Sequence, residues 1–379
     1  MNFELTEEQL MIQQTARRFA QQELKPGVMA RDDLQQFPAE QVQKLGELGF
    51  LGMMISPEYG GSGMDTLSYV LAMEEFSKID ASAAVIVSVN NSLVCYGLEK
   101  YGSEEQKQKY LIPLASGKHI GAFCLSEPEA GSDASSQRTT AMDMGDHYLL
   151  NGVKNWITNG NSATTYIVLA QTDAEKGHHG INALIVEKGM DGFVVGAKEN
   201  KMGMRASDTH SLHFTDVKVP KENRIGDDGF GFTLAMKLLE GGRIGIAAQA
   251  LGIAAGALEL ALNYAKERKA FGKTLAELQA IQFKLADMET EIEATRLLVY
   301  KAAWLKDNGQ PYGHASAMAK LFASQVAMKT TIEAVQIHGG YGCVKEYHVE
   351  RLMRDAKVTQ IYEGTSEIQR IVISRDILK

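Results

Sequence analysis

The stretch RDAKVTQIYEGTSEIQR, Arg354 to Arg370, decides how this 379-residue chain is read. Polar and charged residues surround one short apolar pair, Ile361-Tyr362. Glu363 comes next, followed at once by Gly364, Thr365 and Ser366. A carboxylate just before Gly-Thr-Ser sits where the backbone turns and can approach a ligand closely. Thr365-Ser-Glu-Ile-Gln reads as the N-cap of a final helix. On physics alone, an acidic residue in such a capping turn is more often solvated than catalytic.

Outward from that segment, composition narrows the class. Hydrophobic residues make up 45% of the chain and charged ones 23%, an ordinary globular profile with material for two to three domains. A net charge of −8 argues against a nucleic-acid binder. Cys95, Cys124 and Cys343 are odd in number, far apart and form no CxxC pair, which favours a reducing compartment and no metal cluster. The amino terminus, MNFELTEEQL, has no basic region followed by an apolar core, so no signal peptide is read and the cytoplasm is expected. The run Ile244 to Leu262 has the length of a membrane span, but Gln249, Glu259 and its many Ala and Gly residues make it a buried core helix.

The chain divides into three parts. Residues 1–122 read helical, opened by a capping box at Thr6-Glu-Glu-Gln, broken at Pro26-Gly27, and resumed after Phe37-Pro38 and at Ser103-Glu-Glu-Gln. Pro57-Glu-Tyr-Gly-Gly-Ser-Gly63 is a connecting loop that fits no phosphate-binding pattern. Residues 123–225 carry short β-rich pieces bounded by turns, among them Asn151-Gly152 and Asp191-Gly192, as a β-barrel or sandwich would. Residues 226–379 return to helices. Leu278, Ile281, Leu285, Met288, Ile292, Thr295, Val299 and Ala302 alternate steps of three and four, one stripe along a bundle helix.

The segment YEGTSEIQR resembles the carboxy-terminal signature of the acyl-CoA dehydrogenases, FAD enzymes that oxidise acyl-CoA thioesters. The α, β, α order is similar to theirs, an α+β multidomain fold whose C-terminal part is a four-helix bundle. In that family the Glu of YEGT is the base, which the resemblance carries to Glu363, with Tyr362 and Gly364 at the substrate and Thr365 and Glu367 at the cofactor. Phe123-Cys-Leu-Ser-Glu-Pro-Glu-Ala-Gly-Ser-Asp133 resembles the TEPxAGSD flavin loop, with Ser126 where Thr often stands. The implied flavin contacts are Phe123, Leu125, Ser126, Gly131 and Ser132, with Ser132 also at the acyl-CoA. Taken bare, the same stretch is a polar loop.

Lys154-Asn-Trp-Ile-Thr-Asn159 matches the KxWITN strand, in which Trp156 covers the flavin face and Ile157 and Thr158 lie beside it; without the resemblance, Trp156 reads as core packing. Lys266-Glu-Arg-Lys-Ala-Phe-Gly-Lys273 is either a basic helix cap or a phosphate site. It looks like the ERxxFG motif, whose Arg268 and Phe271 would reach a neighbouring subunit's FAD, with Gln279 downstream. Gln336-Ile-His-Gly-Gly-Tyr-Gly342 is similar to QxxGGxG, implying Gln336, Ile337, Gly339 and Gly340 as further contacts across subunits. These imply a homotetramer, a dimer of dimers.

Glu240-Gly-Gly-Arg243 resembles the segment that binds the CoA arm. Gly242 stands where relatives acting on isovaleryl-CoA and some longer chains place their catalytic Glu, so here Glu363 keeps that role. The turn Met202-Gly-Met-Arg-Ala-Ser207 is given no catalytic role. His210 and His213, three apart in a strand, make a poor metal pair.

The implied reaction converts a short-chain acyl-CoA such as butyryl-CoA to the trans-2-enoyl-CoA, with electrons passed to electron-transfer flavoprotein. Branched or cyclic acyl-CoA substrates, the reductive direction and a non-catalytic flavin-binding scaffold are the competing readings.

Overall fold

The computed structural model describes residues 4–379; Met1 to Phe3, the start of the segment read for a leader, lie outside them. The amino-terminal part carries α1 (Glu7–Phe19), α2 (Val28–Leu34), α3 (Ala39–Glu47), α4 (Thr66–Ser77), α5 (Ala81–Ser88), α6 (Tyr96–Tyr101), α7 (Glu104–Gln106) and α8 (Ile112–Ala115). π-helical turns at Ala20–Leu24, Val89–Cys95 and Lys107–Leu111 extend α1 and join α5 to α6 and α7 to α8. Both expected capping boxes form: Gln9 and Thr6, and Gln106 and Ser103, exchange side-chain and backbone bonds. The seven-residue α2 carries no apolar periodicity. It starts from left-handed Gly27 and is fixed by Arg31, whose guanidinium reaches Asp80 at 3.0 Å and the carbonyl of Pro26 at 2.8 Å.

The middle part is one eight-stranded sheet: β1 (Gly121–Cys124), β2 (Thr140–Asp143), β3 (His147–Thr158), β4 (Thr165–Gln171), β5 (Ile181–Glu187), β6 (Phe193–Lys198), β7 (Thr209–Pro220) and β8 (Arg224–Ile225). Its order is β6-β7-β3-β2-β4-β5-β8, with β1 parallel to β4. Alternation along β4 feeds two cores. Tyr166, Val168 and Ala170 join Tyr148, Leu150, Leu212 and Phe214 inside the sheet, whereas Ile167 and Leu169 join the helical core.

Asn151-Gly152 is not the turn its sequence suggests. β3 runs through it, and its pairing with β7 slips between Leu150 and Gly152 and again between Lys154 and Ile157. Such bulges bend a strand and re-aim side chains. Gly152, at φ 143, takes up the first slip against Thr139. The second leaves Trp156 at φ 61, with 58% of the residue exposed.

The carboxy-terminal part comprises α9 (Gly231–Glu267), a small hairpin of β9 (Lys269–Ala270) and β10 (Lys273–Thr274), then α10 (Gln279–Asp307), α11 (Gly313–His338), α12 (Val349–Thr359) and α13 (Ser366–Ile377). α9 is the central core helix: its most apolar window is 83% buried, which accounts for the hydrophobic run from Ile244. On α10 the stripe is buried from Met288 through Ile292, Thr295, Val299 and Ala302. Ile281 and Leu285 are half-buried, and Leu278 lies just outside the helix as its N-cap. Buried charges are paired across elements: Glu74 of α4 accepts from Arg296 of α10 at 2.7 Å, and Glu75 from Arg17 of α1 at 2.9 Å. The Met202–Ser207 turn serves the structure, since the amide of Met204 donates to Asp355 of α12 at 2.5 Å and docks the sheet onto the bundle.

Candidate active site

After α12 the chain turns through Ile361-Tyr362-Glu363-Gly364, and Thr365 caps α13 by accepting from the Ile368 amide at 3.3 Å. Glu363 has φ 49 and Gly364 φ 91. Two consecutive left-handed residues, one carrying a side chain, are costly and persist only where the surroundings hold them. Three side chains do so. Lys320 of α11 donates to the Gly364 carbonyl at 2.6 Å. Gln369 of α13 donates to the same carbonyl at 2.9 Å and to that of Glu363 at 3.3 Å. The Tyr362 hydroxyl donates to the side chain of Gln249, itself tied to the Ala81 carbonyl at 2.7 Å.

This turn points the Glu363 carboxylate inward, so the expectation of a solvated acid from local sequence is wrong. Both carboxylate oxygens are buried, and neither has a hydrogen-bond partner among the described residues. They lie against α9 at Gly242, with Leu93 beside them. Burial pushes the pKa of Glu363 up to about 7, and the positive charges of Lys320 and Arg243 oppose part of that rise. Arg243 is itself buried, with Nε unpartnered among the described residues, and burial lowers its pKa. Glu240, one turn earlier on α9, is half-buried against Gly313. Glu363, Tyr362, Gly364 and Arg243 therefore meet at one place, with Glu240 a turn away.

A second cluster forms where the sheet begins. Phe123 and Leu125 pack their side chains on the helical core, and Ile157 packs inside the sheet. The Ser126 carbonyl accepts from the Asn155 amide at 2.9 Å, which lays the 125–139 loop beside Trp156 and Thr158. Gly131 and Ser132 are exposed on that loop, and a Cβ at Gly131 would meet nothing within 4 Å.

Beneath the loop lies an ion pair that the sequence alone did not reveal. Lys154, with no exposed surface, donates to Glu127 at 2.7 Å, to Gln137 at 2.9 Å and to the Leu125 carbonyl at 3.1 Å. Glu127 also accepts from the amides of Arg138 at 2.6 Å and Thr139 at 3.1 Å. Burial lowers the pKa of Lys154 to about 8, with Glu127 opposing.

The third cluster joins the two remaining motifs. A cleft of about 510 Å³ is lined by Arg268 at the end of α9, Tyr264, and His338 to Tyr341. The Arg268 guanidinium lies 5.5 Å from the Tyr341 ring centroid, and His338 stacks on Tyr264 at 4.2 Å. Phe271, at φ 53 and 93% exposed, stands at the tip of the β9–β10 hairpin, and Gln279 is exposed at the start of α10. Neither lines this cleft. Gln336 is exposed and Ile337 buried at the end of α11. Thr365 spends its hydroxyl on the α13 cap, and Glu367 is exposed two residues on.

These features suit a flavin dinucleotide: uncovered aromatic faces at Trp156 and Phe271, a cation in a cleft, and open backbone at Gly131, Gly339 and Gly340, where a Cβ would meet nothing. Among the described residues, no group of three His, Cys, Asp or Glu could hold a metal ion. Of the site residues that sequence reasoning missed, Lys320 had one visible signal: it is a lone cation inside the alanine-rich run Ala315 to Ala327.

A buried carboxylate free of hydrogen bonds among the described residues, an exposed aromatic side chain at the sheet and an open cleft carrying a cation fit the class of flavin-dependent oxidoreductases. Three family models cover nearly the whole chain: acyl-CoA dehydrogenase N-terminal domain at residues 6–118, middle domain at 122–217 and C-terminal domain at 229–378. The chain belongs to the acyl-CoA dehydrogenase family and is an FAD enzyme. It is 53% identical over 379 residues, all of both chains, to the short-chain specific acyl-CoA dehydrogenase of Clostridium acetobutylicum. Its structure matches butyryl-CoA dehydrogenase from Megasphaera elsdenii with a TM-score of 0.99 at 51% identity, covering 100% of each chain. With the same TM-score of 0.99, at 55% identity and full coverage, it matches a chain from a structure described as the electron transferring flavoprotein of Acidaminococcus fermentans, studied toward flavin-based electron bifurcation.

Proposed function

We propose that this protein converts a short-chain acyl-CoA, of butyryl-CoA size, to the trans-2-enoyl-CoA, with Glu363 as the base. The observation that carries this reading is the Glu363 carboxylate: buried, free of hydrogen bonds among the described residues and raised in pKa to about 7. A carboxylate withdrawn from water is a stronger base, as removal of a weakly acidic α-proton requires. Glu363 takes the pro-R α-proton onto a carboxylate oxygen. The amide of Glu363, at the left-handed turn, donates to the thioester carbonyl and stabilises the charge that develops there. Arg243, Glu240, Tyr362, Gly364 and Ser132 orient the acyl-CoA.

Bound FAD would supply the hydride acceptor for the β-hydrogen. It would be held by the backbone of Phe123, Leu125, Ser126, Gly131 and Ile157, by Ser132, Trp156 and Thr158, and by Thr365 and Glu367. Arg268, Phe271, Gln279, Gln336, Ile337, Gly339 and Gly340 would hold the FAD of a neighbouring subunit. The exposure of Phe271 and the open cleft at Arg268 support contacts that a second subunit completes, in a homotetramer. Electrons pass to an electron-transfer flavoprotein, in the cytoplasm, in keeping with three free cysteines.

The test is an anaerobic titration of the purified flavoprotein with butyryl-CoA. Bleaching of the flavin band in the native protein, and none in a Glu363→Gln variant that still holds flavin, is the expected result. Bleaching only by a longer, branched or cyclic acyl-CoA would move the substrate. Full activity in Glu363→Gln would overturn the assignment.

A further inference from the structure

We propose that Lys320 is the positioning residue of the base: by donating to the Gly364 carbonyl it locks the left-handed Glu363-Gly364 turn, and its buried positive charge keeps Glu363 available as the anion. This deepens the reading above and rests on Glu363 being the base. Lys320 has no exposed surface, and its Nζ reaches the Gly364 carbonyl at 2.6 Å from the middle of α11, a helix otherwise packed through alanine at this level. An ammonium in such a place is retained only against a strong compensating interaction. Here that interaction is with the carbonyl of the residue that directly follows the base.

Glu363 is faced from each element packed around it. α11 presents Lys320, α9 presents Arg243 beside Gly242, α4 presents Tyr69, and its own segment presents Tyr362. Tyr69 and Tyr362 are both held protonated, chiefly by burial. Among the described residues, only Lys320 and Arg243 therefore bring positive charge to the carboxylate. Arg243 also feels the negative charge of Glu240, and Lys320, more weakly than it feels Glu363, that of Glu367. Arg243 extends from α9, the helix proposed to bind the CoA arm, and its Nε has no hydrogen-bond partner among the described residues. Lys320 is spent inside the protein, so its charge is present before and after substrate arrives. Burial lowers its own pKa to about 8, which leaves it protonated at neutral pH.

Lys320→Met removes both charge and hydrogen bond. Lys320→Gln removes the charge and keeps an N–H donor, and carries the same test where Met disturbs the fold. Gln369→Met removes the other, neutral, donor to the Gly364 carbonyl. The measurement is the pH dependence of single-turnover flavin reduction by butyryl-CoA. Infrared titration of the Glu363 carboxyl runs beside it, its band identified by absence from Glu363→Gln.

In both Lys320 variants the carboxyl midpoint and the rising limb of the rate profile are expected to move up by about one pH unit or more. Rates at pH 7 fall about fivefold or more, while bound flavin is unchanged. In Gln369→Met the rate falls and the midpoint stays. Midpoints in the Lys320 variants equal to the native value would overturn the proposal while leaving Glu363 as base. Full turnover in Glu363→Gln would instead remove the reading on which it rests.

Discussion

Gly242 and Glu363 compete for one volume: a Cβ on Gly242 would overlap Oε2 of the Glu363 carboxylate and stand 3.1 Å from Cδ2 of Leu93. The base occupies the place a side chain on α9 would otherwise fill. Gly242→Ala is therefore expected to displace the carboxylate while keeping the fold, because alanine is the better helix former by about 1 kcal/mol. A misplacement of about 1 Å at the reacting atoms costs on the order of 100-fold in rate. Stopped-flow flavin reduction by butyryl-CoA should fall by about that factor, with the melting temperature nearly unchanged. Native rates in Gly242→Ala would show that the carboxylate has slack.

The raised pKa of Glu363 predicts opposite trends for stability and activity. Its folded value of about 7 lies above the ordinary 4.5. Below the ordinary value the group is neutral in both states and costs nothing. As pH rises toward 7 the unfolded state ionises freely while the folded state resists, so stability is lost across that window. The full loss is roughly 3 kcal/mol. Glu363→Gln should then be more stable than the native protein at pH 8 by roughly that amount, with the gap narrowing to about 1 kcal/mol by pH 5 in urea unfolding and closing below about pH 4.5. Over the same window, kcat/KM of the native enzyme should rise about tenfold per pH unit below 7 and level off above it.

What the sequence made legible was periodic or local. The capping boxes at Thr6 and Ser103, the α10 stripe from Met288 to Ala302 and the buried run of α9 all depend on residues a few positions apart. The failures depend on partners far along the chain. Asn151-Gly152 looks like a hairpin turn, and only the pairing of its strand β3 with β7, four strands later in the chain, reveals a bulge. α2 has no apolar period because it is fixed through Arg31 to Asp80. Glu363 looks solvated from its neighbours in sequence; it is buried by Gly242, Leu93 and the turn that Lys320 and Gln369 hold. The site motifs were readable through the family resemblance, which records such long-range encounters, whereas spacing and composition do not.

The Lys154–Glu127 pair predicts a different kind of loss. Both groups are buried, and together they fasten the 125–139 loop to the strand that carries Trp156 and Thr158. Removing one partner strands the other charge, at a cost of about 3–5 kcal/mol. Lys154→Met should lower stability by that order and weaken FAD retention. Adding Glu127→Leu should recover a large part of the stability and little of the retention, since the amides of Arg138 and Thr139 lose their acceptor. A double-mutant cycle by urea unfolding, with flavin content measured by absorbance, checks both. Additive single effects would show that the pair is not coupled.

Arg268 should matter to cofactor binding and to nothing else. It ends α9 in the cleft with Tyr341, Gly339 and Gly340, is exposed in the single chain, and accompanies Phe271 at the neighbouring hairpin tip. A charge-assisted hydrogen bond to a phosphate contributes about 1.5–3 kcal/mol, so Arg268→Ala should weaken FAD binding about ten- to a hundredfold. Unfolding of the flavin-free protein should be unaffected, because the side chain supports little packing of its own. Lys266, exposed near the end of the same helix and outside the cleft, is the control for general charge: Lys266→Ala should leave affinity within about twofold. Titrating apoprotein with FAD by flavin fluorescence at two salt concentrations separates the two. Equal losses in both variants would reduce Arg268 to a helix-end cation without a phosphate to bind.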